Sequence, residues 1–518
     1  MRIRLTSLIV LLIFAIAALC YMFALTPYIG NGYDDGHYIA LAQALAQGKG
    51  FSRPQLPGNP PEAQYPPGWP LLLAPVWLIA PDFPANAVGF KFVALLCALA
   101  FAALTFGWLR WRGESARVAW LVTALTLFNP LVFGYGTSAF SEMAFGACSI
   151  LALWLVEKYT RDAPAWRVAL LASLALACAF YLRTFGVTLV AVAIVYSFLR
   201  SRRAGARLTV LVAVWILPWV IRGALLSSGS PYLQQFLLKS QEQPELGTIG
   251  AFDLMVRVIL NVRAYLLAGL PGVMMPSQVP LTFVNLAEDL RVGAPFVASD
   301  IVLAVVVGGA VLAHIILRRA LADWYVAFYL ALGLLWNWEP IRFLVPLIPL
   351  LYVNVLNEIA LFGKALKPAW QRSASIFGVT LVALFVAANV IVQARFAWTV
   401  HQTNTPTAEW AARFRLFDWI EHNTQPNSVL ASLNDYQLYL YTRRSVIRAI
   451  GSFEALTRAG VEYVILVPYG GVMVEGDLSR MYFEPVRRAH PQAFARVYAD
   501  DAAGIEVFRL HQTRMRGE

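Results

Sequence analysis

Seven ionisable residues stand at or near the ends of long apolar stretches, where charged side chains are rare. The acidic ones are Asp34, Asp35 and Glu142, and the basic ones are Lys91, Arg183, Arg222 and Arg342. Charges at a bilayer are costly, so they usually face a cavity or mark a functional site. A carboxylate can take the proton of a hydroxyl group, and guanidinium groups bind phosphate. Snorkelling or a structural ion pair is the alternative role for each arginine.

The adjacent acids Asp34 and Asp35 are the most informative pair. A helical run follows them to Gln47, and Gly48 is a typical residue for its C-terminal end. Asp35 precedes Gly36 and is in position to cap this helix, and capping needs only one acid. This interpretation leaves Asp34 as a carboxylate that is either solvent-exposed or reactive.

The composition of the chain indicates that these residues lie among membrane-spanning helices. The chain has 518 residues, of which 59% are hydrophobic and only 14% are charged, which excludes a single water-soluble core. Apolar blocks of about 20 residues are long enough to cross a bilayer as helices. We predict eleven spans, at residues 5–25, 88–109, 118–134, 142–157, 166–182, 186–199, 208–226, 297–317, 322–336, 342–361 and 374–397.

The basic residues predict the orientation of these spans. With Arg2 and Arg4 on the cytoplasmic side, the alternating segments on that side carry a net charge of +12, compared with +11 for the whole chain. This asymmetry follows the positive-inside rule, so the charge does not indicate nucleic-acid binding. The N-terminus is therefore predicted to be cytoplasmic and the C-terminus to lie on the outer face.

Three longer pieces fall on the predicted outer face. Residues 26–87 contain the acidic pair and a short apolar run from Leu71 to Ile79, which is too short to span and is predicted to lie along the membrane interface. Residues 227–296 form a second loop. Residues 398–518 mix helical and strand-like patterns and are predicted to fold as a small α/β domain after a membrane module of residues 1–397.

Several kinds of site are not indicated by the sequence. All four cysteines fall inside predicted spans, so neither a disulfide framework nor a cysteine zinc site is predicted. The sequence has no Walker A motif, no dinucleotide fingerprint and no HExxH motif. Two or three carboxylates could bind Mg²⁺ or Mn²⁺, with Asp35 and Glu142 as the candidate ligands, but no ligand spacing requires a metal.

The order of several motifs resembles the GT-C glycosyltransferases. The likeness is closest to the family 39 branch with the protein O-mannosyltransferases and the lipid A aminoarabinose transferase. It rests on the acidic pair after the first span and on motifs at Tyr38–Leu45, Gly48–Phe51, Tyr65–Pro70, Ser141–Met143, Tyr181–Arg183, Leu217–Arg222 and Ile341–Pro346. Many relatives carry Glu where this chain has Asp35.

The resemblance implies a GT-C fold and an activity. It implies a multi-pass protein of the bacterial inner membrane that transfers a sugar, with inversion, from a polyprenyl-phosphate donor to an envelope glycolipid, glycan or protein. Asp34 would be the general base, with Asp35 and Glu142 beside it, and Lys91, Arg183, Arg222 and Arg342 would bind the donor phosphate. The alternatives are a transporter or flippase of lipid-linked sugars, whose ionisable groups should lie near mid-membrane, and a non-catalytic subunit of an envelope assembly.

Overall fold

The chain divides into two compact units in a computed structural model. The structure describes residues 2–30, 33–161, 165–226, 231–240, 244–270, 273, 298–336, 340–365, 368–403, 407–469 and 477–511. The first unit, called the helical unit below, comprises Met1–Leu25, Ala63–Trp69 and Lys91–His401. The second, called the mixed unit, comprises Thr26–Glu62, Pro70–Phe90 and Gln402–Glu518. In the predicted second loop, 227–296, residues 227–230, 241–243, 271–272 and 274–296 lie outside the described residues.

A helix occupies each of the eleven predicted spans. The longer helices are Arg2–Phe23, Ala87–Trp111, Ala116–Leu127, Glu142–Arg161, Trp166–Leu182, Val187–Arg200, Arg202–Leu226, Ala298–Arg318, Leu321–Leu335, Ile348–Ala365 and Pro368–Thr403. Shorter ones are Pro130–Gly136, Pro231–Leu237, Ala251–Ala264 and Pro340–Leu344. By length and composition, four of the described helices can cross a membrane, or five with one bent pair. The number of spans therefore stays a prediction.

The outer faces of these helices are apolar. In Arg202–Leu226 and Ile376–Arg395 only 11% and 12% of the most apolar stretch is buried inside the protein. Large side chains such as Leu225, Val305 and Phe377 are exposed. Exposed apolar surface of this extent is typical of helices whose solvent is lipid.

One predicted span is not a continuous helix. Residues 118–134 were expected to form a single span, but the structure has two helices that meet at 61°. Pro130 lacks the backbone N–H that would continue the first helix, and it disfavours helical backbone at the residue before it. Asn129 instead caps the second helix, because its side-chain oxygen accepts hydrogen bonds from Leu131 N at 2.9 Å and Val132 N at 3.4 Å.

The mixed unit contains a five-stranded sheet. Its strands are β1 Val429–Ala431, β2 Ser445–Ile447, β3 Val461–Leu466, β4 Phe494–Asp500 and β5 Ile505–Leu510. The order is β2-β1-β3-β5-β4; β1 pairs in parallel with β2 and β3, and β5 pairs antiparallel with β3 and β4. Four helices accompany it: Ala408–Asn423, Asp435–Thr442, Phe453–Arg458 and Leu478–Ala489. This α/β mixture is the one predicted from the sequence.

The first loop packs on this α/β fold. It forms the helices Asp34–Ala46 and Gly68–Ile79. The Gln43 side chain accepts a hydrogen bond from the Tyr439 hydroxyl at 3.0 Å, and Gln55 O accepts one from Val446 N at 2.8 Å. By its contacts, most of the loop that carries the acidic pair belongs with the C-terminal residues. From chain order alone, this loop is predicted to be part of the membrane module of residues 1–397.

Candidate functional site

The helical unit gathers one carboxylate and two guanidinium groups. Glu142 Oε1 accepts a hydrogen bond from Arg183 Nη1 at 2.5 Å and a second from Arg342 Nε. The Glu142 side chain is fully buried, whereas those of Arg183 and Arg342 are 12% and 26% exposed. Within the described residues, one buried carboxylate oxygen therefore binds two guanidinium groups.

Aromatic rings fix both arginines in this cluster. The Arg183 guanidinium lies over the ring of Phe343 at 5.5 Å, and that of Arg342 lies over the ring of Phe140 at 4.9 Å. Ring faces attract cations and hold a planar guanidinium at a defined angle. Two of the four predicted phosphate-binding cations are thus brought together around one predicted acidic residue.

A break between two helices positions Arg183. The helix Trp166–Leu182 ends directly before it, and Arg183 has extended backbone ahead of the short turn Thr184–Gly186. In a continuous helix, the helical repeat would set the direction of this arginine side chain. At the break, the side chain instead reaches Glu142 and Ser141, whose hydroxyl accepts from Nη1 at 3.3 Å.

The Tyr65–Pro70 motif packs against both sides of this cluster. A side chain at Gly68 would place its Cβ 2.6 Å from the carbonyl oxygen of Tyr181, so only glycine fits there. The indole N–H of the buried Trp69 donates to Ala139 O at 2.9 Å. The motif thus contacts the segments that lead into Glu142 and Arg183.

The other two predicted cations lie elsewhere in the helical unit. Lys91 is buried on the helix Ala87–Trp111. Arg222 is half-buried on the helix Arg202–Leu226, and its guanidinium lies over the ring of Trp219 at 5.1 Å. The described bonds of Glu142 go to neither residue, so their phosphate-binding roles stay predictions.

The acidic pair begins a helix in the mixed unit. Asp34 is the first residue of the helix Asp34–Ala46 and is half-buried, whereas Asp35 is buried. The helix ends at Ala46, and Gly48 follows with φ +69°, as the sequence predicts. Tyr33 precedes the pair with φ 60° and ψ −63°, a sparsely populated conformation for a residue with a side chain.

The capping role expected for Asp35 is wrong. Tyr33 is at the cap position, and no side chain caps the helix. Asp35 Oδ2 instead accepts a hydrogen bond from the backbone N–H of Gly30 at 2.8 Å. The helix begins two residues earlier than expected, at Asp34 rather than at Gly36, so Asp35 lies within its first turn and reaches back to Gly30.

Residues from the C-terminal part of the chain surround the acidic pair, and sequence reasoning missed them. The ring of His37 stacks on Tyr436 at 4.1 Å, and its Nε2 lies 3.2 Å from Glu62 Oε2. Arg448 lies over the ring of Tyr33 at 4.3 Å. Asp435 is buried, and burial raises the pKa of its carboxyl to about 6, although the charges of Arg448 and His37 oppose the shift.

A signal for Asp435 is visible in the sequence. It begins the helix that follows β1, whose neighbours β2 and β3 run parallel to it. Polar residues just beyond the carboxyl end of a parallel strand commonly line ligand sites in α/β folds. The strand-like run before Asn434-Asp435 could have indicated this carboxylate.

The residues do not form a metal-binding set. Across the part of the chain that the structure describes, no group of three or more His, Cys, Asp and Glu side chains could hold a metal ion. One oxygen of Glu142 is already bound to two arginines, which compete with a cation for that carboxylate. The roles of Asp35 and Glu142 as metal ligands stay predictions, and no chemical step below depends on a metal.

Comparison with solved structures shows the fold. ArnT from Cupriavidus metallidurans bound to undecaprenyl phosphate is 15% identical, with a TM-score of 0.57 over 97% of this chain and 98% of that one. AglB from Archaeoglobus fulgidus, in complex with an inhibitory peptide and a dolichol-phosphate, is 12% identical, with a TM-score of 0.54 over 97% of this chain and 74% of that one. No protein-family model matches the sequence, and no match was found among curated proteins.

The similarity extends over nearly the whole chain, although the sequence identity is low. ArnT and AglB are both GT-C proteins, and this chain therefore has the GT-C fold predicted from its motifs. An AglB structure in complex with Zn and sulfate is also similar, with 13% identity and a TM-score of 0.53 over 88% of this chain and 67% of that one. Identities in this range establish the architecture and leave substrates to be argued from the residues.

Proposed function

We propose that the protein is an integral-membrane glycosyltransferase that uses a polyprenyl-phosphate sugar donor. The observation that carries this proposal is the cluster of Glu142 with Arg183 and Arg342, in which one buried carboxylate orders two guanidinium groups. Arginine forks match phosphate geometry, and charge-assisted hydrogen bonds to a phosphate are the strong ones. The GT-C fold supports the same class of reaction.

The donor is proposed to carry its sugar on a lipid phosphate. ArnT was solved with undecaprenyl phosphate and AglB with a dolichol-phosphate, and both compounds are polyprenyl phosphates. The apolar outer faces of the helical unit suit a substrate whose long chain stays in lipid. We propose an acceptor on the outer face of the membrane, which is an envelope glycolipid, glycan or protein.

The reaction assigns a separate task to each kind of residue. Asp34 takes the proton of the acceptor hydroxyl as the oxygen attacks the anomeric carbon. The bond from that carbon to the phosphate oxygen breaks, and the polyprenyl phosphate leaves with the electron pair. Arg183 and Arg342 stabilise the negative charge that grows on the phosphate, and attack from the opposite side inverts the anomeric carbon.

Glu142 acts as a positioning residue in this scheme. Its buried carboxylate holds both guanidinium groups through one oxygen, which keeps their remaining donors at a fixed separation. Such preorganisation lowers the reorganisation needed when charge develops in the transition state. This role replaces direct contact with the acceptor as the one that the geometry favours for Glu142.

Transfer by the purified protein in lipid nanodiscs, with a radiolabelled polyprenyl-phosphate sugar, tests the proposal. Asp34→Asn keeps the shape of the side chain and removes the base, so transfer should fall by about 10²–10⁴-fold. Asp35→Asn is the matched control, because an amide oxygen can still accept from Gly30 N, and we expect a loss of less than about tenfold.

Donor binding separates the arginines from the base. Ala replacement of Arg183 or Arg342 should weaken donor use by about 1.5–3 kcal/mol, the range for hydrogen bonds to charged groups, whereas Asp34→Asn should leave donor binding unchanged. Arg222→Ala tests the remaining predicted cation. Movement of the labelled lipid across the bilayer without sugar transfer would instead support a flippase. Full activity of both Asp34→Asn and Asp35→Asn would refute the proposed base mechanism.

A further inference from the structure

A cavity in the helical unit collects three further arginines. Its volume is about 490 Å³, which is within the usual range for small-molecule sites. It lies at the ends of three helices, Ala87–Trp111, Glu142–Arg161 and Val187–Arg200, and beside Ala320. The charged and aromatic residues that line it are Trp111, Arg112, Glu157, Arg161, Tyr196 and Arg200.

Neighbouring side chains hold each arginine at the cavity. Arg200 Nη2 donates to the Tyr196 hydroxyl at 3.0 Å, and its guanidinium lies over the same ring at 5.1 Å. Arg161 lies over the ring of Trp111 at 5.7 Å. Arg112 Nε is 3.8 Å from Glu157 Oε2, and that oxygen also accepts from Trp108 Nε1 at 3.0 Å.

The lining charges indicate an anionic ligand. Among the described side chains that line the cavity there are three guanidinium groups and one carboxylate, so this described lining carries a net charge of +2. Glu157 is bound to Arg112 and Trp108, whereas the described contacts of Arg161 and Arg200 are with aromatic side chains. Two arginine forks at one cavity provide a suitable arrangement for the oxygens of a phosphate group.

The predicted orientation identifies the side of the membrane. All three helix ends fall in segments predicted to be cytoplasmic, opposite to the face predicted for the acidic pair. Trp111 and Tyr196 are aromatic residues of the kind enriched where helices leave the bilayer. Anionic phospholipids concentrate in the cytoplasmic leaflet, and basic pockets between helices bind their head groups.

We propose that this cavity binds a phosphate group, supplied by the head group of an anionic phospholipid. The phosphodiester oxygens accept hydrogen bonds from Arg161 and Arg200, while the aromatic rings contact the glycerol backbone at the membrane surface. The site is separate from the Glu142 cluster and does not depend on the proposed transferase activity. Its occupancy links the ends of three helices that are not all adjacent in sequence.

Native mass spectrometry of the full-length protein tests this site with defined lipids. The detergent-solubilised protein is incubated with phosphatidylglycerol or phosphatidylcholine, and the bound fraction is measured. We expect a preference for phosphatidylglycerol. The Arg161→Gln/Arg200→Gln variant should lose at least about tenfold in affinity, as expected for the loss of charge-assisted hydrogen bonds, and Tyr196→Phe should lose about two- to fivefold because Arg200 loses its hydroxyl partner.

The matched control is Arg117→Gln/Arg203→Gln. Both residues are exposed on the same predicted face and do not line the cavity. Inorganic phosphate at millimolar concentration shows whether the ligand is free phosphate or a lipid head group. If phosphate displaces the lipid, the site binds free phosphate. If the lipid stays bound, the site recognises the head group. Equal losses of affinity in the cavity and control variants, or equal binding of the two lipids, would overturn the proposal. If the double variant fails to fold, Tyr196→Phe replaces it in the comparison with the control.

Discussion

The Glu142 cluster permits a sharp test that needs no knowledge of the substrate. Glu142→Gln has nearly the same shape as the native side chain and keeps a carbonyl oxygen as an acceptor, so the substitution removes mainly the negative charge. The native carboxylate is fully buried and is bound by Arg183 and Arg342. Without it, the two guanidinium groups lose the buried carboxylate that binds them both.

The expected size of the effect follows from burial. Breaking a buried ion pair by removing one partner destabilises a protein by about 3–5 kcal/mol. Here Arg342 is 26% exposed and Arg183 is 12% exposed, so solvent screens part of their charge. We therefore expect Glu142→Gln to lower the free energy of unfolding by roughly 2–4 kcal/mol.

A double-mutant cycle distinguishes this mechanism from a general packing defect. Arg342→Gln removes one of the two cations that bind Glu142, so the Glu142→Gln/Arg342→Gln variant should be less destabilised than the sum of the single variants, by about 1–3 kcal/mol. Glu142→Gln combined with Arg117→Gln should be additive within about 0.5 kcal/mol. Unfolding is followed by intrinsic fluorescence in detergent. Additivity in both cycles would show that the charges are not coupled, and the proposed positioning role would be wrong.

Two further predictions concern packing and titration. Gly68→Ala should lower the melting temperature, because its Cβ would lie 2.6 Å from Tyr181 O, whereas Gly309→Ala, with no atom within 4 Å, should be neutral or stabilising. Because the pKa of Asp435 is raised to about 6, the folded protein holds this proton more tightly than the unfolded chain, and stability should fall as pH rises from about 4 to 6. Asp435→Asn should remove up to about 3 kcal/mol of this pH dependence of the unfolding free energy. The control is Asp418→Asn, at a well-exposed carboxylate, which should leave the pH dependence unchanged. An unchanged pH profile in Asp435→Asn would contradict the raised pKa of Asp435.

The sequence predicts the helices of the helical unit well, because an apolar block of about 20 residues has few alternatives to a helix. It also predicts strand-like runs at Val429–Ser432, Tyr463–Val467 and Ile505–Phe508, of which the last two are rich in β-branched and aromatic residues. It misses β2 and β4. Strand β2 has only three residues, and β4 exposes much of its surface, with the burial pattern of an edge strand. Neither strand has the clear alternation that a sequence pattern requires.

The candidate site is harder to predict because it depends on pairs far apart in the chain. Glu142 and Arg342 are separated by 200 residues, and Glu142 and Arg183 by 41. Periodicity places each of them at the end of a helix, but it does not say which ends meet. The break at Asn129-Pro130 is different, because proline after a capping residue is itself a signal for the start of a new helix.

The acidic pair shows how a local rule can assign the wrong cause. Capping was expected because Asp is a good N-cap residue, yet the cap position is occupied by Tyr33 in a conformation that costs about 1–3 kcal/mol. Contacts distant in sequence offset this cost: Arg448 lies over the Tyr33 ring at 4.3 Å, and Tyr436 meets its edge at 5.4 Å. A strained residue held by aromatic and cationic neighbours fixes the direction of the next side chain, so the geometry before Asp34 supports a functional carboxylate rather than a surface acid.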